Sequence, residues 1–343
     1  MKKFVSMKDI ADRVGISRPT VSFALNDRYD GVGISEELRQ KIKKTAAEMG
    51  YRRNGVVQSL LTNRTKQIAL LLNVNIKHEY TYRVLHAAIG ELSAAGYTAR
   101  IFHDNTESNL EETMEEVFAQ RIEGIITIQK NISVFKQILE MGRKQDIPVL
   151  DFYLEKTLDQ GIFVGNDNAA GIEEAVKSLK EQGHKHIGIM GLTDVNSLRN
   201  QIYLQSMRKF GIKNKPEDNS YAGRNIEHQA NARRLLSRPA NKRPTAYLCG
   251  TDYIAVVMIM QAALLGLKVP QDLSVVGFGG LNVVSHIYPD LSTVVQPFEE
   301  EGVAAARELI AEIERPRCKS FNKSIIVKLK TKFVDKGSTS RVG

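Results

Sequence analysis

Ser6-Met7-Lys8-Asp9-Ile10-Ala11-Asp12-Arg13-Val14-Gly15-Ile16-Ser17-Arg18-Pro19-Thr20-Val21-Ser22-Phe23-Ala24-Leu25-Asn26 is the stretch on which the reading turns. Ser6 can cap a helix, with Asp9 at the reciprocal third position. Met7, Ile10, Ala11 and Val14 then recur at helical spacing. Gly15 ends that helix, and Ile16 buries the turn. Ser17 is a second N-cap, and Pro19 sits in a first turn, where its missing N–H has no intrahelical partner. Val21, Ala24 and Leu25 face inward. Two short helices joined by a tight glycine turn make a helix-turn-helix. Ser17, Arg18, Pro19, Ser22 and Phe23 are left outward near the start of the second helix, the end that enters the major groove in this motif. A third helix runs from Ser35 to Met49, with Leu38, Ile42, Ala46 and Met49 as its apolar stripe.

A solvated helical bundle without a ligand would show the same periodicity. Charge weighs against it. The chain has 343 residues with 48 Lys/Arg and 39 Asp/Glu, a net of +9. Residues 1–66 hold 14 Lys/Arg against 7 Asp/Glu, whereas the other 277 residues hold 34 against 32. A basic head on a nearly neutral body is the footprint of a polyanion-binding module. Two cysteines, Cys249 and Cys318, cannot form a disulfide framework or a four-ligand metal site, and their number suits a reducing cytoplasm. Asp9, Asp12 and Arg13 interrupt any signal-peptide core, and no apolar run reaches the roughly 18 residues that span a bilayer.

Lys8-Asp9-Ile10-Ala11, Val14-Gly15-Ile16-Ser17, Thr20-Val21-Ser22, Leu25-Asn26, Met49-Gly50-Tyr51 and Arg64-Thr65 occur in order. Together they resemble the DNA-binding head of the LacI/GalR family of bacterial transcription regulators; the loop from Asp27 to Gly33 is a few residues longer than that family's. The resemblance implies that Arg18, Pro19 and Phe23 lie at base-reading positions. Arg18 can offer guanine a bidentate fork worth about 1–3 kcal/mol of discrimination. It also implies that Ser17, Thr20, Ser22, Asn26, Ser35 and Tyr51 make positioning contacts that set register. By propensity Asn54–Thr62 is a poor, short helix. In the family the matching hinge becomes helical on DNA, and a leucine from each of two copies wedges into the minor groove; Leu60 falls on that leucine. Asn54 and Val57 are the other hinge positions assigned to DNA. Arg53 in place of a common proline, and Gly55, lead us to expect a hinge that orders only with a strong partner.

From Gln67 onward, short β-type runs (68–72, 97–102, 124–128, 148–152, 187–190, 245–248, 273–277) alternate with amphipathic stretches (83–95, 110–120, 169–182, 253–265). That alternation predicts parallel sheets covered by helices on both faces, in two doubly wound halves. Lys328, Lys330 and Lys332 alternate with Val327, Leu329 and Phe333 as in a half-exposed strand. The resemblance continues through 120–126, 165–171, 183–187, 266–278 and 291–297. It implies a periplasmic-binding-protein-like body whose chain crosses between halves near Val164, Val294 and Ser324. His184 in Gly183-His184-Lys185-His186 reads as structural, because no further Cys or His stands at ligand spacing. Asp151, Asp167 and Asp252 end strands, where α/β folds bind ligands, although helix capping explains Asp167 and Asp252 equally well.

The sequence departs from the polar anchors that sugar- and nucleobase-sensing members share. Gly279-Gly280 replaces an acidic residue, Tyr153 replaces an aspartate, Gln201 stands where an arginine is usual, Thr251 replaces an asparagine, and His78-Glu79-Tyr80-Thr81 replaces an Asn-Pro-aromatic entrance. Two effector readings follow: a small molecule, a sugar or sugar derivative in an atypical pocket of Tyr80, Tyr82, Tyr153, Arg199, Gln201, Thr251 and Asp252; or a protein co-regulator, or no effector.

The expectation is therefore an α/β chain: an all-α helix-turn-helix head (1–52), a hinge (53–66), and a body (67–334) with an N-subdomain of about 67–164 and 294–324, a C-subdomain of about 165–293 and 325–334, and a tail (335–343). Its expected work is that of a cytoplasmic regulator, a repressor of a carbohydrate-related operon. It would bind a pseudo-palindromic operator on double-stranded DNA as a homodimer, with pairing into tetramers left open, and use no metal, cofactor or membrane. A soluble sugar-binding or transport protein of the same body fold is the alternative; an enzyme on this scaffold lacks a recognisable catalytic constellation.

Overall fold

A computed structural model describes residues 5–25, 33–52, 55–73, 79–104, 109–129, 131–152, 158–192, 197–223, 225–315 and 324–342. The chain divides into two compact units, Met1–Thr65 and Lys66–Gly343.

The first unit is helical: α1 (Met7–Val14), α2 (Arg18–Leu25), α3 (Glu36–Glu48) and α4 (Gly55–Thr62). Ser6 and Asp9 close a capping box on α1: the Asp9 amide donates to Ser6 Oγ at 3.3 Å, and the Ser6 amide to Asp9 Oδ2 at 2.8 Å. Gly15 ends α1 at φ 78°, a left-handed conformation that costs glycine nothing. Ile10, Ala11, Val21, Ala24, Leu25, Ile42 and Ala46 form one core. The hinge departs from expectation. Residues 55–62 already form a helix within the first unit, although Val57 is 44% and Leu60 68% exposed. Its backbone hydrogen-bond ladder closes locally rather than through a buried face of these two side chains.

The second unit contains two six-stranded sheets. The first is built from β1 (Gln67–Asn73), β2 (Thr98–Asp104), β3 (Gly124–Thr127), β4 (Val149–Asp151), β5 (Gly161–Asp167) and β11 (Ser324–Lys330), in the order β11-β5-β4-β3-β1-β2. All its pairings are parallel. The second is built from β6 (Ile187–Gly191), β7 (Asn219–Tyr221), β8 (Ala246–Cys249), β9 (Ser274–Gly279), β10 (Ser292–Val295) and β12 (Lys332–Val334), in the order β12-β10-β9-β8-β6-β7, with β12 alone antiparallel. Helices α5 (Glu79–Ala94), α6 (Leu110–Ala119), α7 (Ile132–Lys144) and α12 (Phe298–Ile313) pack with the first sheet. Helices α8 (Asn168–Glu181), α9 (Leu198–Lys209), α10 (Asn225–Leu236) and α11 (Asp252–Leu264) pack with the second. Buried strands such as Ile187–Gly191 and Ala246–Cys249 are continuously apolar, as parallel strands covered on both faces must be.

Two expected boundaries are corrected. The third crossing falls at Thr331 rather than near Ser324, because Ser324–Lys330 pairs residue for residue with Gly161–Asp167 in the first sheet. The first crossing correspondingly comes at Asp167, at the end of β5. The two crossings are tied together: the Thr331 hydroxyl donates to the Asp167 carbonyl at 2.9 Å, and the Gly171 amide donates to Thr331 Oγ1 at 3.1 Å. Nor are residues 335–342 a loose tail. Ser338 is fully buried and donates to the Val275 carbonyl at 2.6 Å, which makes the segment part of the second lobe.

Candidate nucleic-acid interface and ligand cleft

The amphipathic split of α2 builds the first candidate site. Val21, Ala24 and Leu25 turn into the head core, so Arg18, Pro19 and Phe23 must face outward, and Phe23 remains 36% exposed. Ser17 is exposed and caps α2: it accepts from the Thr20 amide at 3.3 Å, with Oγ 2.8 Å from Thr20 Oγ1. Ser22 is half-buried on the same helix. Ser35 caps α3 by accepting from the Leu38 amide. Tyr51 packs half-buried against the core, its amide bonded to the Ala46 carbonyl at 2.9 Å. Lys8, Arg18, Lys41, Lys44 and Arg52 are exposed around this scaffold. Leu60 and Val57 are exposed on α4. Asn26 and Asn54 lie outside the described residues.

Between the two lobes of the body, the C-terminal ends of the strands bring a second set together. Tyr80, at the start of α5, donates its hydroxyl to Glu301 Oε1 at 3.0 Å and sets its ring edge-on to Phe298, 5.4 Å between centroids. Asn166, near the end of β5, donates Nδ2 to Glu301 Oε2 at 2.8 Å. Glu301 is fully buried, and burial pushes its carboxyl up to about 8 although both donors favour the ionised form. Asp151, 1% exposed at the end of β4, accepts from the Gln129 amide at 3.0 Å. Burial and the neighbouring Glu301 and Asp151 carboxyls raise the Tyr80 phenol well above its ordinary value; Arg199, from the other lobe, opposes them. Arg199 lies over Phe278, its guanidinium carbon 3.7 Å from the ring centroid, and donates to the Gly250 carbonyl at 2.6 Å.

The expected pocket is only partly assembled. Tyr80 and Arg199 come within electrostatic reach of each other, and Gln201 stands half-buried on α9. Tyr82 is 66% exposed, its ring beside His86 one turn along α5 rather than in the Tyr80–Glu301 cluster. Tyr153 and His78 lie outside the described residues. Thr251 is the N-cap of α11, accepting from the Ile254 amide at 3.2 Å. Asp252 is not a cap, and its carboxylate is already spent: Oδ1 accepts from the Thr293 hydroxyl at 2.5 Å and Oδ2 from the Leu281 amide at 2.7 Å, at 0% exposure. Burial still raises its carboxyl. Asp252 therefore holds the turn at Gly279-Gly280, whose φ values of 135° and 72° suit glycine. A Cβ on Gly280 would come within 2.9 Å of Val295. Those glycines serve a backbone turn. Asp167 does cap α8, accepting from the Ala169 amide. His184 is held by Thr245 and the Ser340 carbonyl, the structural role its context suggests.

Two features were not singled out in the sequence. One is Glu301 with Asn166. The other is a clamp from α5 onto the second lobe: Arg83, held by Glu299 of α12 at 2.8 Å, donates to the Gly280 carbonyl at 3.1 Å, while both Glu79 oxygens accept from the Asn282 amide at 3.0 Å. A signal for Glu301 exists. In Phe298–Ile313 the positions Phe298, Gly302, Ala305 and Leu309 make the buried stripe, and a carboxyl three residues after Phe298 falls upon it.

Comparison with known proteins converges on one family. The sequence model described as bacterial regulatory proteins, lacI family, matches residues 6–54, and that of a periplasmic binding protein-like domain matches residues 176–339. The HTH-type transcriptional regulator GntR of Escherichia coli (strain K12) is 28% identical over 318 residues, covering 91% of this chain and 93% of that protein. The HTH-type transcriptional repressor PurR of Serratia proteamaculans (strain 568) is 29% identical over 350 residues, covering 98% and 97%. The fold is that of the lac repressor dimer crystallised with operator and an anti-inducer, at a TM-score of 0.79 and 19% identity over 98% of this chain and all of that one. A basic helix-turn-helix head joined to a two-lobed periplasmic-binding-protein-like body makes the chain a member of the LacI family of bacterial transcription regulators.

Proposed function

We propose that this regulator acts in the cytoplasm as a homodimeric repressor of a carbohydrate-related operon, gripping a pseudo-palindromic operator with two heads. The observation that carries the reading is the exposed Arg18-Pro19…Phe23 face at the N-terminal end of α2, set on a core of Ile10, Val21 and Ile42 in a segment of net charge +7. In this reading Arg18 reads a base edge. Pro19 and Phe23 supply apolar contact, and Ser17, Thr20, Ser22, Asn26, Ser35 and Tyr51 hold the phosphates. Asn54, Val57 and Leu60 enter the minor groove. Dimerisation is supported by the second lobe. Tyr253, Met260 and Leu264 stand exposed along α11, at 51%, 57% and 76%, and Tyr288 is 93% exposed. No charged residue lies between Asp252 and Lys268. A helix apolar all round belongs inside a protein, and a second copy would cover it. Among the described residues no helix is long and apolar enough to cross a membrane.

The switch is a small molecule in the interlobe cleft. Tyr80 and Arg199 contact it from opposite lobes, Gln201 and Tyr153 are assigned as further contacts, and the bonds of Glu79 and Arg83 to the second lobe set how far the lobes close. An effector moves operator affinity only through a difference in its affinity for the open and closed bodies. Selection of bound sequences from random DNA, with and without candidate metabolites, tests the reading. It expects enrichment of one palindrome; no enriched sequence would reject it.

A further inference from the structure

Charge in the second lobe is gathered at one end. Strands β6, β7, β8 and β9 run parallel with their C-terminal ends toward the cleft, so the segments that precede them share the outer end of the lobe. These are 177–186, 205–218, 231–245 and 265–273, joined by 335–342 after the antiparallel β12. Together they hold 15 Lys/Arg against 5 Asp/Glu, whereas the rest of 67–343 holds 19 against 27. Hydrogen bonds stitch the segments into one surface. The Lys213 amide donates to the Lys185 carbonyl at 2.9 Å, the Thr245 amide to the His186 carbonyl at 3.1 Å, and the Val342 amide to the Gln182 carbonyl at 2.9 Å. Helix ends account for some of the cations: Lys180, Arg208, Lys209, Arg233 and Arg234 occupy last turns, where the helix dipole favours them. Lys185, Lys213, Lys242 and Arg341 stand outside the α-helices. All four are exposed, and none has an ion pair among the described residues.

The chemistry of this end selects its occupant. Neighbouring strands lie about 4.8 Å apart, so the cations ahead of β9, β8, β6 and β7 spread over about 15 Å, too far to converge on one small anion. A row of phosphates fits that spread. Phe210 is the only aromatic residue in the five segments, and Lys180 and Lys209 lie over its ring at 5.9 and 5.7 Å, which leaves no platform for an unpaired base. Val342, at 43%, is their only exposed large apolar side chain, too little to enter a lipid surface or to centre a protein interface. Duplex needs neither feature, because fixed Lys and Arg on its phosphates suffice. The chain enters the body at Gln67, the N-terminal end of β1 and so the outer end of the first lobe; the basic end is the outer end of the other lobe. We propose that this end is a second, sequence-independent site for double-stranded DNA, through which a regulator seated on its operator grips another stretch of duplex. Tethering by the heads keeps neighbouring duplex at high effective concentration there.

The test is fluorescence anisotropy of the full chain with a labelled random-sequence duplex of about 30 base pairs, over a range of KCl. Two variants of equal charge change are compared, their folding checked by circular dichroism. One carries Lys185→Gln, Lys213→Gln and Lys242→Gln at the outer end; the control carries Lys328→Gln, Lys330→Gln and Lys332→Gln, which are equally exposed on β11 and β12. The slope of log affinity against log salt should fall by about three in the first variant, about one per lost phosphate contact, and stay unchanged in the control. With the heads saturated by unlabelled operator, the labelled duplex should still bind the unsubstituted chain. It should bind the outer-end variant at least about tenfold more weakly, while both proteins bind operator equally. An equal loss of slope in the two variants would reduce the effect to net charge and overturn the proposal, as would a loaded chain that takes up no second duplex. Tighter binding of polyglutamate, or of phosphatidylserine vesicles, than of duplex at matched salt would also overturn it, in favour of an acidic protein or a membrane surface. If selection yields no operator, the slopes of the unloaded chain still decide this site, so its failure and that of the operator reading stay distinct.

Discussion

Replacing Glu301 by glutamine should make the body more stable as pH rises. The carboxyl ordinarily titrates near 4.5 and is pushed up to about 8 in the folded chain. Between those values the folded state holds a proton that the unfolded state has lost, so stability falls with rising pH at about 1.4 kcal/mol per unit. Across the whole window the penalty approaches about 5 kcal/mol, less whatever relaxation and water entry recover at high pH. Glutamine keeps an acceptor for the Tyr80 hydroxyl, and its amide can donate to Asn166 once that side chain turns over. Near pH 5, where Glu301 is protonated when folded, the two proteins should therefore differ little. By pH 8 the variant should be the more stable by several kcal/mol. Urea unfolding at pH 5, 6, 7 and 8 measures this as a midpoint difference at unchanged slope. Other titrating groups, Glu312 among them, cancel in the comparison. A difference between the two proteins that stays constant with pH would refute the reasoning.

Other perturbations probe the remaining parts. Asp252→Ala strands the Thr293 hydroxyl and the Leu281 amide and should cost about 2–6 kcal/mol of body stability in urea, at roughly 1–3 kcal/mol per orphaned group; a loss below about 1 kcal/mol would mean that the 279–281 turn does not depend on it. Arg83→Ala removes both the Glu299 pair and the bond to the Gly280 carbonyl, and should widen the interlobe angle seen by small-angle scattering without loss of helix signal; an unchanged scattering profile counts against the clamp. Leu60→Ala should reduce operator bending in a circular-permutation gel while the head stays folded, and unchanged bending would reject the wedge.

Much of the fold is legible because periodicity and caps are local. Ser6 with Asp9, Ser17 and Gly15 mark the ends of the first two head helices, and the two caps and the left-handed glycine appear where the sequence puts them. The alternation of Ile68–Leu72 with Arg83–Ala95, and its repeats, specifies a parallel α/β body because buried strands and amphipathic helices carry different periods. The crossing at Thr331 is less legible. Ser324–Lys330 alternates as an edge strand would in either lobe, and only its register against β5 decides which sheet it joins. The site divides the same way. The outward face of α2 follows from its inward face, whereas the cleft depends on side chains as far apart in sequence as Tyr80, Asn166 and Glu301. Asp252, read as a ligand contact, proves to be an internal brace, because its acceptors are filled by Thr293 and Leu281, which only the fold brings near.

The central claim is that α2 reads DNA through Arg18. Once an operator is selected, fluorescence anisotropy of the full chain and of Arg18→Ala on that operator and on its single-base variants, over a range of salt, tests it most directly. The account predicts affinity that falls steeply with salt for both proteins. It also predicts that Arg18→Ala loses about 1–3 kcal/mol of discrimination at one position of each half-site and little elsewhere. Equal weakening on every sequence, or binding indifferent to salt, would contradict it.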